Sequence, residues 1–268
     1  YGATAVACRK AKKLLGKSPL RGEAVFDPKL ISRTWLYDWY VGVDRRVRQI
    51  REGYSMALWD LAGKIQRKSF YDLSGRERKR DAVEGMPVIH VQEPRTMARI
   101  AETWVREGFK VFNVKLKGES KRDIEAVRCI LGVSPDIQIF IVDANYGYKE
   151  EADLIEAGQE LSRMGVRYFH NPIKRPLSFY AALSARMNIP FTCDNTAYWP
   201  KVKAVLAQNA AQLVNLHPNC MGGIDLLYRV VDFAGTQGIA SIVGSSGHCG
   251  IQDKCFQKVA FTLNGELP

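Results

Sequence analysis

From Met86 onward the sequence alternates short apolar runs with amphipathic stretches, and this alternation limits the possible folds more than any other feature. MPVIHVQ, FKVFNVKLK, IQIFIVDAN, VRYFHNP, IPFTCDNT, AQLVNLHPN and IASIVGSSG read as strands. Helical stretches separate them, TMARIAETWVREG, SKRDIEAVRCILGV and KEEADLIEAGQELSRMG being the clearest, and they usually close with Gly or Asn. Strands this apolar, regularly interleaved with helices, belong to a parallel sheet covered by helices. Units of this kind repeated in succession favour a closed barrel over an open doubly wound sheet. No GxGxxG follows the first strand, which removes the main signal for a dinucleotide-binding sheet. The expected fold is therefore α/β, a (β/α) TIM-type barrel of about seven to eight units.

Each strand after the first ends in polar residues. They are Lys115 and Lys117, Asp143 and Asn145, His170 and Asn171, Asp194 and Asn195, His217 and Asn219, then Ser245 and Ser246 with His248. In a barrel these C-terminal ends converge on one mouth, where the chemistry of such folds resides. Lys115 and Lys117 are two apart, so a continuous strand would point both ammonium groups to one face, roughly 7 Å apart. Asp143 and Asn145 would do the same one strand later. Burying such groups is costly, so they persist where they have partners or a task.

Residues 1–85 read as a mostly helical segment and 86–268 as the barrel. ATAVACRKAKKLLGK is an amphipathic helix, followed by an aromatic-rich, poorly periodic stretch. VRQIREGYSMALWDLAGKIQRKSFYDLSG is a second helix with Ile50, Tyr54, Ala57, Leu58 and Leu61 on its apolar face, ending near Gly63 or a little beyond. The net charge of +11 is spread along the chain and is densest in the early helices and in GRERKRD. No aromatics are interleaved with the basic residues as a single-strand binder requires, so a solvated basic surface is expected and nucleic acid is not an expected partner. No apolar run is long enough to span a bilayer, and Tyr1 does not open a signal peptide. Six scattered cysteines without a CxxC pair point to reduced thiols and a cytoplasmic protein.

With these residues laid out, the chain resembles the enolase superfamily, in particular its muconate-cycloisomerase and mandelate-racemase branches, over about residues 50–268. ALWDLAGK followed by YDLSG is similar to the family's helix leading into the barrel. VKLK is similar to its Lys-x-Lys strand, VDAN to the strand bearing its first metal ligand, and FHNP, TCDN and NLHPNCMGGI to the next three strands. The resemblance implies a divalent metal, usually magnesium, held by acidic residues on successive strands, and a small carboxylate substrate whose α-proton a base removes through an enediolate. Asp143, His170 and Asp194 take the three ligand positions. Lys117 aligns with the base, Lys115 stands beside it, and Asn145, Asn171 and Asn195 are the neighbouring polar groups.

Two departures stand out. The second ligand position, Glu in the family, is His170; an imidazole there favours manganese, iron, nickel or zinc over magnesium. The catalytic position on strand six, Lys or Asp in the family, is His217, and His248 lies near the racemase branch's catalytic His. The implied outcomes are isomerisation, racemisation or cycloisomerisation. Alternatives are an acid-sugar dehydratase, with His217 or His248 assisting the leaving hydroxyl, and a non-catalytic barrel that no longer holds magnesium. The family's antiparallel capping sheet has no counterpart in the sequence, and an eighth strand is at most minimal. The N-terminal helices are thus expected to be a remnant of the capping domain, and a homo-oligomer is compatible with the family.

Overall fold

The protein is described by a computed structural model over residues 45–193, 199–217, 221–244 and 250–264. The expected first helix and the aromatic stretch after it lie outside these residues. Among the described residues two helices come first, α1 (Arg45–Gln66) and α2 (Phe70–Ser74), followed by β1 (Val88–Ile89), α3 (Pro94–Arg106), β2 (Val111–Lys115) and α4 (Ser120–Leu131). Next are β3 (Gln138–Asp143), α5 (Glu151–Arg163), β4 (Tyr168–His170), α6 (Leu177–Met187), β5 (Phe191–Cys193) and α7 (Trp199–Ala207). The chain continues with β6 (Leu213–Leu216), α8 (Ile224–Thr236), β7 (Ala240–Val243) and α9 (Ile251–Ala260). Among the described residues seven strands form one sheet in chain order, β1 to β7, and the pairings from β1 through β6 are parallel. Strand-by-strand succession with a helix after each strand is the pattern the sequence predicts.

The described residues divide into two compact units: 84–193 with 203–214, and 45–83 with 199–202, 215–217, 221–244 and 250–264. In the first, register decides what each side of the sheet carries. Val114, Val142, Phe169 and Phe191 are successive partners across β2 to β5. They join the buried core with Met97 and Ala101 of α3, Ile130 of α4, Leu154 and Leu161 of α5, and Leu183 and Met187 of α6. Aromatic edges run through it: Tyr148 against Phe169 at 6.0 Å, Phe169 against Phe191 at 6.4 Å, and Phe191 against Tyr180 at 5.6 Å between ring centroids. One residue further along each strand, the side chains point to the opposite face, and there the row is polar.

In the second unit α1 continues past Gly63 to Gln66, and the short α2 follows with a reciprocal cap. The Ser69 hydroxyl accepts from the Asp72 N–H, and the Asp72 carboxylate accepts from the Ser69 N–H. The buried stripe of α1 is displaced from the expected one. It contains Glu52, Ser55, Leu58, Trp59 and Ala62, while Ala57 and Leu61 are exposed. Polar residues could join this stripe because partners meet them: the Ser55 hydroxyl accepts from the Ile224 N–H at 3.3 Å, and Gln252 donates to Glu52 at 3.2 Å. The GRERKRD run is held by its own unit. Arg76 pairs with Asp232 at 2.6 Å and lies over the Tyr228 ring, Arg78 lies over Phe261, and the Arg80 guanidinium donates to the Leu263 carbonyl.

Glu52 carries a stability prediction. It is only 1% exposed, and its Oε2 has no hydrogen-bond partner among the described residues. Burial pushes its carboxyl up to about 7, against a partial lowering by Gln252. The folded state therefore holds a proton that the unfolded state releases near its ordinary 4.5, so stability falls as pH rises through this window and is flat above it. The loss amounts to about 3 kcal/mol. Glu52→Gln should remove this component, which urea midpoints of both proteins between pH 5 and pH 8 will show; parallel pH profiles would contradict it.

Candidate active site

The polar row begins at the end of β2. Phe112 and Val114 enter the core, so Asn113 and Lys115 face the other way. The strand stops at Lys115, and a single carboxylate accounts for this. Asp123 of α4, 2% exposed, accepts the backbone N–H groups of Lys117 at 2.9 Å, Gly118 at 2.8 Å and Glu119 at 3.1 Å. The Tyr148 hydroxyl donates to the same carboxylate at 2.8 Å. Burial, with the Asp123 charge next in size, raises the Tyr148 phenol far above its ordinary range, so it remains a donor. With their N–H groups turned toward Asp123, residues 117–119 leave the ladder.

The expectation that Lys115 and Lys117 share a strand face is therefore corrected. Lys117 lies past the strand, its side chain is 51% exposed, and its ammonium pairs with Glu119 at 2.7 Å. Lys115 has a side chain only 23% exposed and pairs with the Asp143 carboxylate. The two residues are register partners on β2 and β3. The turn that separates them is packed backbone to backbone. A Cβ on Gly118 would come within 2.2 Å of the Gly147 carbonyl carbon, and one on Gly147 within 2.5 Å of the Lys117 oxygen. Only glycines permit that approach.

Asp143 ends β3 with its side chain 5% exposed, and besides Lys115 it accepts the Asn145 N–H at 2.8 Å. Asn145 itself is exposed, with φ at +47°, so its backbone and not its side chain meets Asp143; the same-face expectation fails here too. The cause is that β3 closes at Asp143 and the chain turns. His170, 4% exposed, ends β4 as the register partner of Asp143. Its Nδ1 shares a hydrogen bond with Oγ1 of Thr192, the register partner on β5, which is 7% exposed. Asn171 follows with φ at +46°, is buried, and accepts the Tyr146 N–H through its carbonyl at 2.7 Å. Lys115, Asp143, His170 and Thr192 thus form one row over four neighbouring strands.

Asp194, Asn195 and His248 lie outside the described residues. His217 belongs to the other unit, directly after β6, and is 7% exposed. Asn215, two residues before it, is 5% exposed, and its Oδ1 has no partner among the described residues. Both side chains close on Gly244, where a Cβ would lie 2.3 Å from Asn215 Oδ1 and 2.5 Å from His217 Nε2. Sequence reasoning missed three residues of these sites. Thr192 had a signal, a polar residue at the alternate position before the Cys193–Asp194 pair. Asp123 and Tyr148 had none, because a helical Asp and a loop Tyr are common and their contacts are non-local.

Asp143 and His170 offer one carboxylate and one imidazole from adjacent positions. No group of three or more His, Cys, Asp or Glu with metal-binding geometry occurs among the described residues. An all-oxygen octahedral shell suits magnesium, whereas imidazole suits manganese, iron, nickel and zinc. The described pair, one oxygen and one nitrogen donor, fits a divalent ion.

Residues 96–267 match the enolase C-terminal domain-like family. The chain is 28% identical over 225 residues to arabinonate dehydratase of Saccharolobus solfataricus, covering 79% of this chain and 59% of that protein. It is 24% identical over 255 residues to N-succinyl-L-Arg/Lys racemase of Bacillus cereus, covering 93% and 65%. The chain thus spans less than two thirds of the length of these relatives. A dipeptide epimerase from Enterococcus faecalis V583, solved with Mg and the dipeptide L-Leu-L-Tyr, superposes with a TM-score of 0.82 at 19% identity, over 96% of this chain and 70% of that one. The fold is shared: a parallel α/β sheet of the (β/α) barrel type. No helix among the described residues is long and apolar enough to cross a membrane.

Proposed function

Because the chain belongs to the enolase C-terminal domain-like family, we propose that it removes the proton α to the carboxylate of a small substrate, with racemisation, epimerisation or cycloisomerisation as the outcome. The observation that carries this reading is the in-register row of Lys115, Asp143 and His170 at the ends of β2, β3 and β4. Asp143 and His170, with Asp194, are the residues that would hold a divalent ion. Such an ion would supply positive charge to draw the substrate carboxylate and to offset the negative charge developing as the α-proton leaves.

Lys115 is the base in this reading, in place of Lys117; it acts as the neutral amine, the proton of its ion pair with Asp143 having first passed to solvent. Its Nζ already lies against Asp143, so a carboxylate bound beside Asp143 would bring its α-carbon within reach of that amine. The turn tied to Asp123 takes residues 117–119 off the strand, which supports Lys115 rather than Lys117 as the base. The relatives suggest the acids to try first: dipeptides, N-succinyl amino acids and aldonic acids. The protein is proposed to act in the cytoplasm.

The test is proton exchange in deuterated water, followed by NMR across these three classes with manganese, nickel, zinc or magnesium present. Metal-dependent loss of one α-proton signal is the expected result. No exchange with any class, and no thermal shift on adding divalent ions, would favour a non-catalytic barrel. The dehydratase relative supports a second reading, in which loss of the α-proton is followed by departure of a hydroxyl. Formation of a keto acid from an aldonic acid in the same assay would select it.

Metal preference gives a separate prediction. Calorimetry on the wild type should show tighter binding of manganese, nickel or zinc than of magnesium, and His170→Glu should improve magnesium binding by restoring an oxygen donor and a negative charge. Tight magnesium binding by the wild type, or no gain in the variant, would remove His170 from the ligand set.

A further inference from the structure

The geometry points to Thr192 as a positioning residue, one that orients the His170 ring so that Nε2 is the nitrogen offered to a divalent ion. This rests on the proposed metal reading and adds to it a residue that the ligand set does not contain.

Four observations lead there. His170 and Thr192 are register partners on β4 and β5, so their side chains lie on one face of the sheet. Nδ1 and Oγ1 are hydrogen-bonded. Both residues are at least nine-tenths buried, with 4% and 7% exposure, so water does not readily replace either partner. On its other side, His170 is the register partner of Asp143, the carboxylate of the proposed site.

Imidazole chemistry then sets the tautomer. A ring nitrogen that binds a metal must present its lone pair, so the proton of the neutral ring sits on the other nitrogen and needs an acceptor. Thr192 Oγ1 meets Nδ1 and can accept that proton. Coordination is thereby directed to Nε2. Threonine suits the role for two reasons. Its hydroxyl both accepts and donates, so it can follow the ring if the tautomer changes. Its branched Cβ restricts χ1, which holds the oxygen in one place. A carboxylate at position 170 would need no such partner, since its two oxygens are equivalent. Thr192 is therefore a partner that an imidazole at position 170 uses and a carboxylate there would not.

The full chain contains four histidines, so the ring resonances of His170 can be identified by their loss in His170→Gln. Long-range proton–nitrogen spectra of nitrogen-15-labelled protein report the tautomer directly, before and after adding zinc. The expected result is a ring protonated at Nδ1, with the Nε2 resonance moved by zinc. Thr192→Val, close in shape but lacking the acceptor, should weaken zinc binding by about 10–100-fold, as loss of such outer partners typically does. Thr192→Ser should recover most of that loss, which separates the hydroxyl's role from any effect of packing.

A zinc-loaded ring protonated at Nε2, a His170 resonance unmoved by bound zinc, or unchanged affinity in Thr192→Val would each overturn the assignment. These readouts do not depend on turnover. An inactive protein that nonetheless gave the expected spectra and affinities would fault the functional reading alone.

Discussion

Lys115→Ala is expected to slow α-proton exchange by about 10²–10⁴-fold, the usual loss when a positioned general base is removed. Lys117→Ala should leave the rate essentially unchanged. The contrast follows from where the chain leaves the sheet: Lys115 lies against Asp143, whereas Lys117 is turned outward and paired with Glu119. A second consequence accompanies the first. Removing Lys115 strands the Asp143 carboxylate, 5% exposed, without its counter-ion, and breaking a buried pair from one side typically costs about 3–5 kcal/mol. A divalent ion that binds Asp143 should therefore raise the melting temperature of Lys115→Ala more than that of the wild type. Exchange rates and melting curves, each with and without added metal, measure both effects. Equal loss of activity in the two lysine variants would mean that the turn at residues 117–119 does not separate their roles.

Asp123→Ala is expected to have a large effect on folding. It leaves the N–H groups of Lys117, Gly118 and Glu119 and the Tyr148 hydroxyl without their acceptor. Each buried donor so abandoned costs about 1–3 kcal/mol, and water entering the gap would meet some of them, so a total on the order of 4 kcal/mol is expected. Asp123→Asn keeps one acceptor oxygen but turns an amide NH₂ toward other donors, so it should fall between the variant and the wild type. Tyr148→Phe removes a single bond and should cost the least. Denaturant unfolding of the three variants gives the order directly. A loss below about 1 kcal/mol in Asp123→Ala would show that the loop finds other acceptors.

The site residues divide according to how local their signals are. Asp143 and His170 were legible because each closes an apolar strand whose alternation fixes its side, and the parallel register then makes them neighbours. The same reasoning misassigned Lys117 and Asn145, because alternation was extended past the points where β2 and β3 end. At β2 that point is set by Asp123, on the helix that follows. At β3 it is set by a turn in which Asn145 takes a positive φ. A two-residue period has meaning only while the ladder continues.

Helix α1 shows the same limit from the packing side. Periodicity predicts an apolar stripe through Ala57 and Leu61, yet the buried stripe includes Glu52 and Ser55. An apolar pattern rejects both residues. What admits them is the arrival of Gln252 and the Ile224 N–H, from segments at least 169 residues away in the chain.

What the sequence by itself determined is the order of strands and helices, the parallel sheet, and the polar strand ends that carry the proposed chemistry. These follow from local periodicity and from the cost of leaving apolar strand faces uncovered. Tertiary structure alone decided that Lys115 and not Lys117 meets Asp143, that Thr192 meets the His170 ring, and that Glu52 is buried with a raised pKa. Each of these depends on a partner brought close by folding. The energy of a buried charge or hydrogen bond is set by that partner's distance in space, which spacing along the chain does not encode.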